Sequence, residues 1–265
     1  MSDPRFELHG EAAPQRFGWR RLLGLAVCTA LMAGGYGVYS GAIGVPERLN
    51  PWAPLNVAAP PNFLTPYKLA RTRDKPALCL SALAQTGMRY QQLPDRITGQ
   101  GCGFENAVRL EVAGVRLGSA LSLSCPMALS FAMWERHVLQ PAAQARFNQP
   151  VVAITHLGSY ACRNINRGEG AVPGRPAIGS GALSRHATAN ALDITGFTLA
   201  DGQRITVSED FHKDDMTAQP ASKALLLDEF HAGACKYFQG VLGPDYNAVH
   251  RDHFHLETGG YSMCR

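Results

Sequence analysis

The longest hydrophobic run in the chain lies near the N-terminus, where residues 22–45 carry no charged side chain. A helix rises about 1.5 Å per residue and the hydrocarbon core of a bilayer is about 30 Å thick, so the run is long enough to cross a membrane. Three arginines within 16–21 precede it. Because positive charge stays on the cytoplasmic side, the pattern predicts a cytoplasmic tail at 1–21, a transmembrane anchor at 22–45 and an exported remainder. The alternative is a signal peptide cleaved near 40–42.

Proline dominates the stretch after the apolar run. Six prolines lie between Val45 and Tyr67, a composition that resists helix formation and favours an extended, semi-rigid chain. The sequence therefore predicts a linker at 46–75 that holds the following domain away from the membrane.

Shorter hydrophobic patterns between residues 76 and 265 change between helical and strand periods. Apolar residues at helical spacing predict one helix over 126–147, broken near Pro141, and another over 221–238. Apolar stretches typical of strands predict four of them, at 150–157, 191–199, 204–207 and 253–257. The mixture predicts a small α+β domain whose antiparallel sheet carries the functional site.

Composition and charge narrow the class of protein. The 265 residues are 46% hydrophobic, which favours a folded core over a disordered chain. The net charge of +4 is spread along the sequence without a run of lysine or arginine. The sequence thus predicts no nucleic-acid partner.

Cysteine usage is an independent indication of export. Cys28 lies in the apolar run, and the other six cysteines follow it, at 79, 102, 125, 162, 235 and 264. An even number of cysteines in an exported domain predicts three disulfides. The chain has no CxxC pair of the kind that would indicate a thiolate zinc site. Fifteen pairings are possible, of which 79–102, 125–162 and 235–264 close the shortest loops and are the expected ones. In a cytosolic chain the six would instead be reduced core residues.

Histidines are concentrated in two short motifs, SRHATANALD at 184–193 and HRDHFH at 250–255. In the predicted strand at 191–199 Asp193 lies near the start, and small residues before it allow the backbone to turn and bring His186 close. Alternation in HFHLE places His253, His255 and Glu257 on one face.

Two imidazoles and a carboxylate form a donor set that binds Zn²⁺ and leaves a fourth position open, as in catalytic sites. The predicted ligands are therefore His186, Asp193 and His255. The remaining histidines show no ligand spacing and are interpreted as surface or core residues, at positions 9, 137, 156, 212 and 231.

These motifs resemble known families. SRHATANALD is similar to the SxHxxGxAxD signature of the D-alanyl-D-alanine peptidase and Hedgehog-type zinc fold, and HRDHFH to the HxxHxH segment of penicillin-insensitive murein endopeptidases. From about Cys79 to Cys264 the chain, including YACR, LSRHATANALDITGF and VLGPDYNAVHRDHFHLE, resembles the bacterial extensin-like C-terminal domain family. The resemblance implies that His186, Asp193 and His255 bind zinc.

The resemblance also implies an acid/base group just before the last ligand. Many members have a glutamate three residues ahead of that histidine, where this chain has Asp252. Alternation turns Asp252 away from the metal face and places His253 on it, so His253 is the expected general base, with His250 as a polar helper and Asp252 as the alternative. It is equally open that His250 and Asp252 only contact the ligands or lie on the surface.

Other positions of the resemblance concern substrate binding and the turn itself. Arg163 in YACR resembles an arginine that holds substrate or the developing oxyanion, with a structural salt bridge as the alternative. Ser184 is expected to support the histidine turn, and the glycine-rich loop at 166–184 is expected to bind substrate. Ala189 stands where the signature has glycine, and a positive φ there would cost about 1 kcal/mol.

The resemblance implies a more specific function than the residues alone indicate. The implied protein is a zinc metallopeptidase of carboxypeptidase or endopeptidase type, anchored by 22–45 in the inner membrane of a Gram-negative bacterium. Its expected substrates are peptidoglycan peptides in the periplasm. The alternative is a catalytically inactive wall-binding or scaffold module of the same fold, favoured by Ala189 and by the missing glutamate.

Overall fold

The computed structural model describes residues 19–165, 182–211 and 222–265, and the chain divides into two compact units, Met1–Asn50 and Pro51–Arg265. Helix α1, Trp19–Tyr39, belongs to the first unit and buries none of its residues. Its mean hydropathy reaches 1.6, so it is long and apolar enough to cross a membrane. The helix ends at Tyr39, before the end of the predicted span, and Gly41 with a φ of 79° follows it.

The helices of the second unit are short. They are α2 Thr65–Arg71, α3 Pro76–Leu83, α4 Cys125–Trp134, α5 Gln140–Phe147, α6 Val207–Asp210 and α7 Lys223–Ala234. A π-helical turn, Glu135–Leu139, joins α4 directly to α5. The break expected near Pro141 is therefore a widened turn, because proline lacks the N–H that would bond to the carbonyl four residues earlier.

Eleven strands are described in the second unit. They are β1 Arg89–Leu93, β2 Arg96–Gly99, β3 Cys102–Phe104, β4 Ala107–Val112, β5 Leu121–Ser124, β6 Val151–Gly158, β7 Ala191–Leu199, β8 Arg204–Thr206, β9 Gly240–Leu242, β10 Phe254–Glu257 and β11 Met263–Cys264. The largest sheet has the order β11-β9-β10-β7-β6, with β8 also paired to β7. Only β11 and β9 pair in parallel within that sheet. The predicted α+β class is confirmed.

Aromatic side chains from helices and sheet form the centre of the core. Trp134 of α4 lies 6.2 Å from Phe197 of β7 and 6.3 Å from Phe230 of α7 between ring centroids, and all three are at most 1% exposed. The Trp134 indole N–H donates to the Phe230 carbonyl at 2.9 Å. Helices α4 and α7 thus pack on the sheet that contains β7 and β10.

The predicted extended linker at 46–75 is wrong for most of its length. Leu55, Val57 and Leu69 are buried in the core, and the Val57 carbonyl lies 2.8 Å from the Nε2 atom of His137. Apolar residues lie between the prolines, and burying each of them is more favourable than leaving it exposed to water in a spacer. This explains why the segment packs against the domain. The segment from Pro51 onwards belongs to the folded unit.

Three disulfides are present, as predicted, but two of the expected pairs are wrong. The bonds join Cys79 to Cys125, Cys102 to Cys162 and Cys235 to Cys264. Cys79 on α3 meets Cys125 at the start of α4, and both are fully buried. The contacts between elements decide the pairing, and loop length alone is a poor guide.

Candidate metal centre

A tight turn presents the first histidine. A single 3₁₀ turn, Arg185–Thr188, begins at Ser184, whose hydroxyl accepts the His186 backbone N–H at 3.3 Å. The chain then enters the left-handed region at Ala189, with a φ of 56°. Ser184 supports the turn, as expected, and Ala189, where the signature has glycine, has the positive φ under which alanine is strained.

Hydrogen bonds to neighbouring segments stabilise this strained turn. The Ala189 carbonyl accepts the Ser124 N–H at 2.7 Å, and the Ser124 hydroxyl donates to the Asn190 side chain at 2.6 Å. The Thr258 hydroxyl donates to the same Asn190 oxygen at 3.2 Å. The turn is therefore tied both to the start of α4 and to the chain just after β10.

Strands β7 and β10 bring the other two predicted ligands together. They pair antiparallel with His255 directly opposite Asp193, so the two side chains point to the same side of the sheet. The Nδ1 atom of His255 lies 2.8 Å from Oδ1 of Asp193, and Nε2 of His186 lies 3.1 Å from Oδ2. The two imidazoles approach to 3.3 Å between His186 Nε2 and His255 Nδ1.

Three donor atoms therefore converge from segments about sixty residues apart. One nitrogen each of His186 and His255 and one oxygen of Asp193 all lie within 4.8 Å of one another, and all three residues are buried. This compact arrangement of two imidazoles and one carboxylate fits the donor set that zinc takes in catalytic sites.

Burial and mutual contact set the protonation of this cluster. Burial opposes ionisation of Asp193, but hydrogen bonds from His186 and His255 outweigh it and hold the pKa of the carboxyl well below its usual range. Burial likewise opposes the His255 imidazolium, yet Asp193 and Glu257 outweigh it and raise the pKa of His255 to about 9. A divalent cation would replace a proton here, so metal binding would release protons.

His253 also points towards the cluster. Its Nε2 atom lies 3.7 Å from the Asp193 carboxylate, while its Nδ1 atom lies 2.9 Å from the Asp252 carboxylate. The Asp252 side chain is 49% exposed and its contact is with the far side of the ring. The predicted difference in orientation is confirmed, since His253 faces the cluster and Asp252 does not.

His250 completes the histidine group from a separate 3₁₀ turn, Ala248–His250. Its ring centroid lies 5.3 Å from that of His253 and 5.6 Å from that of His255, and its Nδ1 atom lies 2.8 Å from the Asn247 side-chain oxygen. Burial, with the neighbouring positive charges, lowers the pKa of His250 to about 4. His250 is therefore a neutral imidazole at neutral pH.

Comparison with protein families identifies the folded unit. A family model described as the extensin-like protein C-terminus matches residues 77–265. The chain belongs to this family. Comparison with curated proteins and with solved structures finds no match to the chain.

Arg163 lies beside the turn that carries His186 in the extensin-like domain. Its carbonyl accepts the Ser184 N–H at 3.0 Å, and its charge is one of the smaller causes of the lowered pKa of His250. Among the described residues no ion pair links Arg163 to a carboxylate, and its guanidinium donates to the Asn164 carbonyl at 3.4 Å. The disulfide from Cys162 to Cys102 holds this segment against hairpin β2–β3.

Several predicted or alternative features lie outside the centre. Most of the glycine-rich loop expected to bind substrate, 166–181, falls outside the described residues, as do His9 and His212. His231 lies within ligand distance of Cys235 and Cys264, but those two sulfurs form a disulfide and offer no thiolate. His137 and His156 contact the Val57 carbonyl and Ser119 respectively, as expected of histidines without a ligand role.

Sequence reasoning missed two supporting residues of the extensin-like site. Glu257 was placed on the face of His255 without a role, yet its Oε2 atom lies 3.1 Å from His255 Nε2. The side-chain oxygen of Asn247 lies 2.8 Å from Nδ1 of His250 and orients that ring. The spacing of two between His255 and Glu257 was the available signal, because residues i and i+2 of a strand share a face.

Proposed function

We propose that the extensin-like domain is a zinc-dependent peptidase that acts on peptidoglycan peptides. The convergence of His186, Asp193 and His255 within 4.8 Å, in a buried position, is the observation that carries the proposal. We also propose that the two histidine motifs are related to those of the D-alanyl-D-alanine peptidase fold and of murein endopeptidases, which they resemble. These three side chains would hold zinc, which supplies a Lewis acid for a peptide carbonyl and lowers the pKa of water.

His253 is the proposed proton carrier. Its Nδ1–H donates to Asp252 at 2.9 Å, which leaves the lone pair of Nε2 facing the cluster. In this tautomer Nε2 accepts a proton from the attacking water and later returns it to the leaving amine. Asp252 acts through His253 by orienting the ring and does not itself face the reacting atoms.

Arg163 is the proposed group that binds negative charge. Among the described residues Arg163 has no carboxylate partner, and a guanidinium offers a fork of N–H donors that suits a substrate carboxylate or a developing oxyanion. His250, neutral and adjacent, adds no competing charge. The salt-bridge alternative for Arg163 has no partner in the described segments.

Space for a peptide lies beside the turn that carries His186. An open cleft of about 1010 Å³ is lined by Arg185, Thr188 and Asn190 of that turn and by Phe104 and Ile97 of hairpin β2–β3. The cleft borders the turn of His186, although the side chains of His186, Asp193 and His255 do not line it. We place the domain in the periplasm, where its three disulfides would persist, with α1 as the inner-membrane anchor.

The test uses the full chain in detergent, loaded with zinc and incubated with purified muropeptides, with products identified by mass spectrometry. Removing a general base costs about 10²–10⁴ in rate, so His253→Ala should lose that much turnover while still binding zinc. His156→Ala, a histidine on β6 whose ring contacts Ser119, is the matched control and should keep full activity. Undiminished cleavage by His253→Ala and by His255→Ala would remove the proposal.

A non-catalytic wall-binding module is the second candidate. Two observations favour it: Ala189 at a φ of 56°, where the signature has glycine, and the outward-facing Asp252 in place of a glutamate. Incubation of the zinc-loaded chain with sacculi separates the candidates. Sedimentation with the wall and no released peptide would support binding alone.

A further inference from the structure

Glu257 contacts the ring of His255 on the side away from the other two ligands. It is the last residue of β10, and its side chain is 20% exposed. Its Oε2 atom lies 3.1 Å from His255 Nε2. A carboxylate only accepts hydrogen bonds, so this contact requires a proton on Nε2.

The opposite ring nitrogen faces the cluster. Nδ1 of His255 lies 2.8 Å from Asp193 Oδ1 and 3.3 Å from His186 Nε2. An imidazole binds metal through a nitrogen that carries no proton. Asp193 is also a carboxylate, so Nδ1 carries a proton as well while no cation is bound. A cation held by the other donors would displace the proton on Nδ1 and leave the Nε2–H bonded to Glu257.

Two glycines lie directly against the side chain of Glu257. Gly240 lies opposite Glu257 in the register of β9 and β10, and a Cβ atom built there would collide with the Glu257 side chain. A Cβ atom at Gly260 would collide with its Oε1 atom. The Gln239 N–H donates to the Glu257 carbonyl at 3.0 Å. The absence of side chains at these two glycines thus leaves the space in which the carboxylate contacts His255.

We propose that Glu257 is the positioning residue of the metal centre, holding the proton on Nε2 of His255 so that Nδ1 is the ligand atom. The inference rests on the zinc site of the proposed function and adds the carboxylate that selects its tautomer. Without this partner the ring can rotate or carry its proton on Nδ1, which would direct an N–H at the ion. Partners of this kind set ligand orientation and basicity in metal sites.

Zinc affinity of the full chain, measured by competition with a chromophoric chelator, tests the proposal. Loss of such a partner weakens metal binding by about 10–100-fold, so Glu257→Ala should show a loss in that range. Glu257→Gln keeps an acceptor oxygen of the same reach and should recover most of the affinity. Glu111→Ala, an exposed strand glutamate on β4, is the matched control and should bind as the wild type does.

Gly260→Ala provides a variant that keeps Glu257 itself. Gly260 has no positive φ, so alanine suits its backbone, and the added methyl group displaces the carboxylate from His255. It should weaken zinc binding in the same direction as Glu257→Ala. Unchanged affinity in folded Glu257→Ala and Gly260→Ala would overturn the proposal, as would equal losses in Glu257→Ala and Glu257→Gln.

A second readout does not need the metal. In a chain with ¹⁵N-labelled histidine, assigned with His255→Ala, the Nε2–H of His255 should give a protected signal in a ¹⁵N–¹H correlation spectrum. The signal should disappear in Glu257→Ala and persist in Glu257→Gln. Its presence in Glu257→Ala would overturn the positioning role. A wild-type chain that shows the signal but binds no zinc would instead refute the proposed function and leave the contact of Glu257 intact.

Discussion

Strands β7 and β10 have two faces of opposite chemistry. On one face Leu192, Ile194 and Phe254 are completely buried in the core. On the other, Asp193 and His255 are also buried, at 8% and 7% exposure, although charged groups oppose burial. The first face favours folding by about 1.5–3 kcal/mol for each large side chain. Burying the second face costs desolvation energy. The hydrogen bonds within the cluster offset that cost but do not make the burial a source of stability.

The contrast separates what folds the domain from what the domain does. A strand pair selected for stability alone would carry apolar residues on both buried faces. Buried histidines and a carboxylate with strongly shifted pKa values are typical of functional sites. We therefore expect changes on the apolar face to affect stability and changes on the polar face to affect metal binding.

The largest effect on stability is expected at Trp134, whose ring is in contact with aromatic side chains from β7 and α7. Trp134→Ala removes that packing and the 2.9 Å bond to Phe230, and should lower the free energy of unfolding by about 3–5 kcal/mol. Urea titration measures it, with Tyr261→Ala, 90% exposed, as the control. Loss of zinc binding by the folded fraction of the Trp134→Ala variant would contradict the expectation that changes in the apolar core affect stability and leave metal binding intact.

A pH dependence is expected from Glu135 of the π-helical turn, the one buried carboxyl among the described helical residues. Burial raises the pKa of Glu135 from its ordinary 4.5 to about 7, against the effect of a hydrogen bond from the Gly114 N–H. The folded state then holds a proton that the unfolded state has lost. Stability is full below about pH 4.5 and falls by up to about 3 kcal/mol as the pH rises through 7.

Glu135→Gln removes that titration and keeps an acceptor for Gly114. The difference in free energy of unfolding between wild type and Glu135→Gln, followed by urea titration from pH 4.5 to 8, should move in favour of the variant as the pH rises. A difference that stays constant across this range would show that the carboxyl titrates normally.

The smallest effect is expected at Ala189, on the polar side. Ala189→Gly relieves about 1–2 kcal/mol of left-handed strain but loses a buried methyl group and adds chain entropy in the unfolded state. The free energy of unfolding should change by less than about 1 kcal/mol. Ala187→Gly, equally buried and at negative φ, has no strain to relieve and should be less stable than Ala189→Gly. Equal losses in the two variants would mean that the turn is unstrained.

Local patterns predicted the elements that hold the site. The strands at 191–199 and 253–257 agree with β7 and β10 to within a residue, because period-two alternation depends only on neighbouring positions. The same alternation correctly predicts that His253 faces the cluster and that Asp252 does not. The α+β class followed from the order of helical and strand patterns.

What the sequence could not give are contacts between distant segments. The partners of Cys79 and Cys102 depend on which helix and which loop meet in three dimensions. The packing of residues 51–75 depends on a surface made by α4 and its neighbours. Glu257 became a candidate only when its distance to His255 and the space left by Gly240 were known. Contacts between distant segments cannot be inferred from any single short stretch of the sequence.

Zinc content is the most direct test of the central claim, that His186, Asp193 and His255 hold one ion. The chain is stripped with chelator, reloaded, freed of excess metal and measured by mass spectrometry. Wild type and Asp252→Asn should each retain about one zinc per chain, because Asp252 faces away from the cluster. Asp193→Asn should retain almost none, since the site loses its one anionic ligand. Equal zinc in Asp193→Asn and wild type, or none in wild type, would contradict the account.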